Sequence, residues 1–77
     1  MKLIISKIDE KVYEGDFKSV VLPGGRGELE IMPGHAPLLS PLREGKIIYL
    51  TKSGERGELD IKKGFVEVNK NETIVVL

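Results

Sequence analysis

Glycine or proline stands at thirteen of the 77 positions (15, 23, 24, 25, 27, 33, 34, 37, 41, 45, 54, 57 and 64), so only the first 14 and last 13 residues run on without interruption. Proline removes a backbone donor and clashes with the preceding helical turn, and glycine weakens a helix interior. Long helices are therefore excluded over most of the chain. What remains is a series of segments whose length suits strands.

The order of side chains within those segments agrees. In residues 28–32, Leu29 and Ile31 share one face while Glu28, Glu30 and Met32 share the other. In residues 56–62, Leu59 and Ile61 oppose Arg56, Glu58, Asp60 and Lys62. A period of two marks a half-buried strand. Residues 16–22 and 46–51 are also strand-like, and the KSGE segment at 52–55 reads as a hairpin turn. The last run, 65–77, is split by Asn69, Lys70 and Asn71, a turn-forming cluster between FVEV and TIVVL, and so predicts a second hairpin. In the first run Ile4, Ile8 and Val12 fall at helical spacing while Leu3 and Ile5 alternate, and β-branched content assigns it to a strand. The sequence thus predicts an all-β fold: one domain over residues 1–77, a small two-sheet β-sandwich of seven or more short, mostly antiparallel strands. It contains no internal repeat, low-complexity tract or linker.

Composition narrows the function classes. A domain this short buries only about 60% of the surface its unfolded chain exposes. There is no cysteine and one histidine, so neither disulfides nor a zinc cluster is expected to staple it, and aliphatic packing or a partner must supply stability. Twelve Lys and Arg balance twelve Asp and Glu. Nucleic-acid binding needs a basic excess to displace counterions, and none is present. No segment approaches the roughly 20 apolar residues of a membrane span, and the opening MKLIISKIDEK has neither the apolar run nor the cleavage site of a secretory leader. The expectation is a soluble, cytoplasmic chain.

The segment PGGRGELEIMPGHAPLL, residues 23–39, resembles the signature stretch of the epsilon subunit of F-type ATP synthases, in which a glycine-rich turn, an acidic strand and a PGHAPLL loop follow one another. KVYEGDFKSVVLPG before it, and REGKI, GFVEV and TIVVL after it, agree in order and spacing, so the resemblance covers essentially the whole chain. Two residues depart from the family pattern: Glu30 stands where a glycine is usual, and Lys63 where the first of two glycines is usual. The resemblance implies the N-terminal β-sandwich of a non-catalytic rotor-stalk subunit, monomeric when isolated. Its partners would be the gamma subunit and the c-ring, and it would be peripheral on the inner face of the cell membrane through the ring. Family members commonly continue into a two-helix hairpin that inhibits ATP hydrolysis and in some binds ATP. The expectation here is the sandwich alone, as a naturally short form or an excised domain, neither binding ATP nor inhibiting hydrolysis.

Several residues have chemistry worth weighing. His35 sits between Pro33–Gly34 and Pro37 on a loop whose backbone is restrained, a setting for a contact, an acid, a ligand, or a ring bonded to its own backbone. With no second ligand near it in sequence, a metal site is not expected. Glu28 and Glu30 project to one face about 6.5 to 7 Å apart, which overlaps the carboxylate spacing of inverting glycosidases. A small hydrolase using Glu28, Glu30 and His35 is therefore one rival reading, and a stand-alone sandwich that binds a peptide or small molecule is another. The glycine-rich GGRG lacks the Lys-Ser/Thr of a phosphate loop and reads as a turn. Ser40 has no acid and histidine at triad spacing. By resemblance, Glu28, His35 and Ala36 face the c-ring, with Glu30, Met32 and Leu38 at the rim. A cationic ring loop would give Glu28 its electrostatic purpose. No catalytic residue, cofactor or metal is expected.

Far-ultraviolet circular dichroism of the isolated chain should show well under about a quarter helix, below the 30% or more usual for mixed domains. A larger helical signal would overturn the all-β reading.

Overall fold

The computed structural model describes all residues 1–77. Eight strands make up the fold: β1 (Lys2–Lys7), β2 (Glu10–Gly24), β3 (Gly27–Ile31), β4 (Leu38–Leu42), β5 (Gly45–Thr51), β6 (Arg56–Ile61), β7 (Gly64–Val68) and β8 (Glu72–Val76). No helix is present. All pairings are antiparallel except β1 with β8.

The two layers share β2. Its first half pairs with β1, which continues through β8 and β7 to β4. Its second half lies between β3 and β5, with β6 outside β5. A single pairing, Gly24 with Leu42, ties β2 to β4. One hydrogen-bonded system therefore folds over on itself, and the expected sandwich is what results.

Bulges let one strand serve both layers. The register of β2 against β5 passes from Phe17–Thr51 to Ser19–Leu50, leaving Lys18 as an extra residue. That insertion inverts the alternation, so Phe17 and Val20, three apart, both point into the core. Against β1 the register passes from Ile5–Tyr13 to Ser6–Lys11, leaving Val12 extra, and adjacent Val12 and Tyr13 both pack against the core.

Between the layers lie Leu3, Ile5, Phe17, Val20, Leu22, Ile31, Leu42, Ile47, Ile61, Val66, Val68 and Val75, one contiguous cluster. Thr73 is the one fully buried polar side chain, and its hydroxyl donates to the Met1 sulfur at 3.7 Å. The tyrosines close one side. Tyr13 and Tyr49 sit with ring centroids 4.9 Å apart, and Tyr49 covers Gly57 on the neighbouring strand, where an added Cβ would fall 2.2 Å from its ring.

Two expectations are corrected. The first run is not one strand: it turns at Ile8 and Asp9, and β1 and β2 form a hairpin. Ile8 is 96% exposed, so an apolar residue that fitted the periodic pattern is a turn tip. Nor are all strands short, because β2 runs for 15 residues straight through Gly15 and Pro23. Gly15 does not break it; the Tyr13 hydroxyl lies where its Cβ would be, at 2.9 Å, and donates to the Asp16 carbonyl at 2.7 Å.

Leu22 is fully buried where β2 lies between β3 and β5. Leu22→Ala should cost about 2 to 5 kcal/mol. The urea midpoint should fall accordingly, and an unchanged midpoint would contradict the assigned core.

Candidate functional site

The residues singled out in sequence lie on the β2–β3 hairpin, the loop 32–37 and the start of β4. The hairpin depends on glycine for space. A Cβ on Gly24 would stand 2.5 Å from the Gly27 carbonyl oxygen and 2.8 Å from Leu29 Cγ, and Gly27 has a φ of 134°. GGRG is thus the turn joining β2 to β3, with Gly24 and Gly27 paired across it. Along β3, Ile31 is fully buried and Leu29 packs against the core. Glu28 and Glu30 point outward, opposite Pro23 and Val21. Neither carboxylate joins an ion pair.

Beyond β3 the chain reverses in a compact turn. The His35 N–H donates to the Met32 carbonyl at 3.0 Å, and Gly34 takes a φ of 90° after Pro33, the arrangement of a type II turn. The ring adds a second tie: Nδ1–H donates to the Ala36 carbonyl at 2.7 Å. In the neutral ring this leaves Nε2 as an acceptor on an exposed side chain. Pro37 then holds Ala36 extended and leads into β4. His35 therefore both shapes its own loop and offers a free nitrogen at the surface, which unites two roles that the sequence left as alternatives.

Glu28, Glu30, Met32, His35 and Ala36 are all exposed. Leu38 is not: it is half-buried and packs against the core, whereas Leu39, which the sequence reading passed over, is 72% exposed. The alternation of β4 could have signalled this, since Leu42 is buried and Leu38 shares its parity. The groove beside the hairpin is lined by Glu28, Leu29, Leu38 and Leu39 but by neither Glu30 nor His35. Strand rise places the Cα atoms of Glu28 and Ile31 roughly 10 Å apart, so Glu28 and the His35 loop lie at opposite ends of β3. No three His, Cys, Asp or Glu side chains converge. This is surface chemistry, suited to contact with another surface.

The fixed charges lie elsewhere. Glu58, on the outer side of β6, bonds Lys46 at 3.2 Å and also pairs with Arg56; the Lys46 hydrogen bond, then the Arg56 charge, hold its carboxyl below the usual range. Glu14 bonds Lys11 and, at 3.1 Å, Lys2, and Lys11 contributes most to lowering its pKa.

These features define a class: a small all-β sandwich whose candidate residues are displayed on a stiff hairpin and loop rather than gathered in a cleft. The chain belongs to the family of the ATP synthase, Delta/Epsilon chain, beta-sandwich domain, whose pattern it matches over residues 1–77. It is similar to ATP synthase epsilon chain 2 of Ralstonia nicotianae, 38% identical over 68 residues, 88% of this chain and 49% of that one. It thus spans about half the length of this curated relative. In fold it is similar to a chain of the Euglena gracilis mitochondrial ATP synthase with its c-ring (TM-score 0.88, 20% identity, 96% of this chain and 48% of that one). A chain of the Tetrahymena thermophila mitochondrial central stalk and c-ring is also similar (TM-score 0.84, 16% identity, 99% and 61%). The family implied by residues 23–39 is the family found.

The charge clusters make stability depend on pH. Glu14 and Glu58 have folded-state pKa values below their unfolded ones, so their stabilisation is present above the ordinary glutamate pKa of about 4.3 and is lost as pH falls through the depressed values. The double variant Glu14→Gln, Glu58→Gln should unfold at lower urea than wild type at pH 6, with the gap closing as pH drops below about 4. A gap that stays constant with pH would show that the two carboxylates do not act through their charge.

Proposed function

We infer that this chain is the β-sandwich of a non-catalytic central-stalk subunit of an F-type ATP synthase. It joins the gamma subunit to the c-ring, so that torque from ion flow reaches the catalytic head. The observation that carries this reading is family membership along all of residues 1–77. Two similar folds come from ATP synthase assemblies that contain a c-ring, which supports the same role. Attachment to the membrane is then indirect, through the ring on its inner face, and no helix here is long and apolar enough to cross a bilayer. The role needs no cofactor, metal or catalytic group. The isolated chain is a monomer in this reading.

Glu28, His35 and Ala36 form the ring contact, flanked by Glu30, Met32 and Leu38. The physical support is the exposure of all of these except the half-buried Leu38, combined with stiffness. A loop already held by a type II turn and a His35–Ala36 bond loses little conformational freedom on docking, so more of its contact energy remains for affinity. Glu28 and Glu30 have no internal cation to compete with an external one.

Charge reversal at Glu28 should therefore hurt more than neutralisation. An exposed pair contributes about 0.2 to 1 kcal/mol, so Glu28→Gln should weaken retention on purified c-rings by a few fold at most. Glu28→Lys should cost more. Its penalty should shrink between 0.1 M and 1 M salt, where the Debye length falls from about 10 Å to 3 Å. Glutamine and lysine variants that are retained alike at both ionic strengths would remove Glu28 from the ring contact.

A further inference from the structure

The sandwich is open along one seam. β3 pairs with β2 alone, and β4 pairs with β7 along its length but meets β2 only where Leu42 faces Gly24. Between β3 and β4 runs a groove of about 640 Å³, whose lining includes Glu28 and Leu29 on one side, Leu38 and Leu39 on the other, and Arg26 of the hairpin turn. Two prolines fix which backbone groups face it. Successive antiparallel pairs alternate between those that exchange two hydrogen bonds and those that exchange none. Pro23 stands opposite Glu28, has no N–H, and gives its carbonyl to the Arg43 N–H at 2.9 Å, so this pair exchanges none. The N–H and C=O of Glu28 therefore point away from β2, and those of Glu30, two residues on, do the same. Across the groove the Pro41 carbonyl accepts from the Gly25 N–H at 3.0 Å, so Pro41 and, by the same parity, Leu39 turn their backbone groups away from β7. None of Glu28, Glu30 and Leu39 makes a backbone hydrogen bond outside the strand ladders. The free edge of β3 thus offers a row of unused donors and acceptors, the template on which a further strand forms.

Side chains decide what kind of strand. Residues opposite one another on neighbouring strands share a face. A residue placed opposite Leu29 turns into the groove beside Leu29 and Leu38, both half-buried, and is best apolar. Residues placed opposite Glu28 and Glu30 emerge beside two carboxylates that hold no internal cation, and are best Lys or Arg. The β3 edge of a second copy is excluded, because it would set glutamate against glutamate, and like charges directly opposite destabilise a pair. Nor does any other segment of residues 1–77 place one apolar residue between two cationic ones. The β6 edge makes no comparable demand, since Glu58 there is already held by Lys46 and Arg56.

We propose that the free edge of β3 is a strand-addition site for an extended peptide segment in which one apolar residue lies between two Lys or Arg. The two cationic residues exchange backbone hydrogen bonds with Glu28 and Glu30 while their side chains meet the carboxylates, and the apolar residue fills the groove. Backbone pairing supplies the affinity, and the alternation of side chains supplies the selectivity. β3 has five residues, so the added strand pairs over no more than about 17 Å.

The test titrates a capped hexapeptide of alternating lysine and valine into the isotope-labelled chain and follows backbone amides by nuclear magnetic resonance. The Glu28 and Glu30 amides should shift saturably and exchange with solvent more slowly, while those of β6 stay put. The same peptide methylated at its lysine backbone nitrogens keeps its charge and loses the donors that pair with Glu28 and Glu30, so its binding should vanish. A hexapeptide of alternating glutamate and valine should not bind, and hexalysine should bind far more weakly. The double variant Glu28→Gln, Glu30→Gln loses two exposed pairs and should bind the lysine–valine peptide roughly 2- to 30-fold more weakly. That gap should narrow between 0.1 M and 1 M salt. Both side chains are exposed, so the urea midpoint should stay near wild type; should the variant unfold, the peptide series on the wild-type chain carries the test. No shift with the lysine–valine peptide, shifts centred on β6, or equal binding of the methylated peptide or of hexalysine would each overturn the proposal. No stalk partner enters the experiment, so any of these results leaves the stalk reading standing.

Discussion

Everything in this molecule hangs from β2. It pairs with β1, β3, β4 and β5, so both layers take their hydrogen-bond register from one 15-residue segment. A strand that long cannot alternate regularly and still face one core from two layers. The extra residues Val12 and Lys18 resolve this by rotating the strand, and each lies where β2 changes its relation to a neighbour. Leu22 and Val20 then sit at the middle of the second layer, and the glycine turn that follows sets where β3 begins and what Glu28 faces.

Most of this architecture was legible in the chain because its signals are local. Alternation in residues 28–32 and 56–62 names the buried faces of β3 and β6. Asn69 closes the β7–β8 turn through a side chain that accepts from the backbone N–H of Asn71 and Glu72, the chemistry that made the cluster a turn signal. What was hidden depended on neighbours distant in sequence. Ile8 looked like part of an apolar pattern and is a turn tip. Gly15 looked like punctuation and is a strand residue under Tyr13. Leu38 and Leu39 are chemically identical, and only the parity set by Leu42 tells which packs inward.

The candidate site divides along the same line. The loop was readable because Pro33, Gly34 and Pro37 dictate backbone shape from their own covalent structure, and the structure adds the His35 ring as a further brace. The apolar outer face of the β4–β7–β8 layer was not readable. Phe65 and Val76 look like ordinary core residues in a run of alternating apolar side chains, and their exposure appears only once β4, β7 and β8 are laid side by side.

The β6 border of the second layer has a consequence of its own. β6 pairs with β5 alone, and its outward side chains are Arg56, Glu58 and Asp60, with Lys46 beside them. An unpaired strand is a template on which another chain can extend the sheet, and bulky ionised groups along it make that extension unfavourable. Sheet extension through the β6 border is therefore opposed by the same Glu58, Lys46 and Arg56 charges that brace it within the molecule.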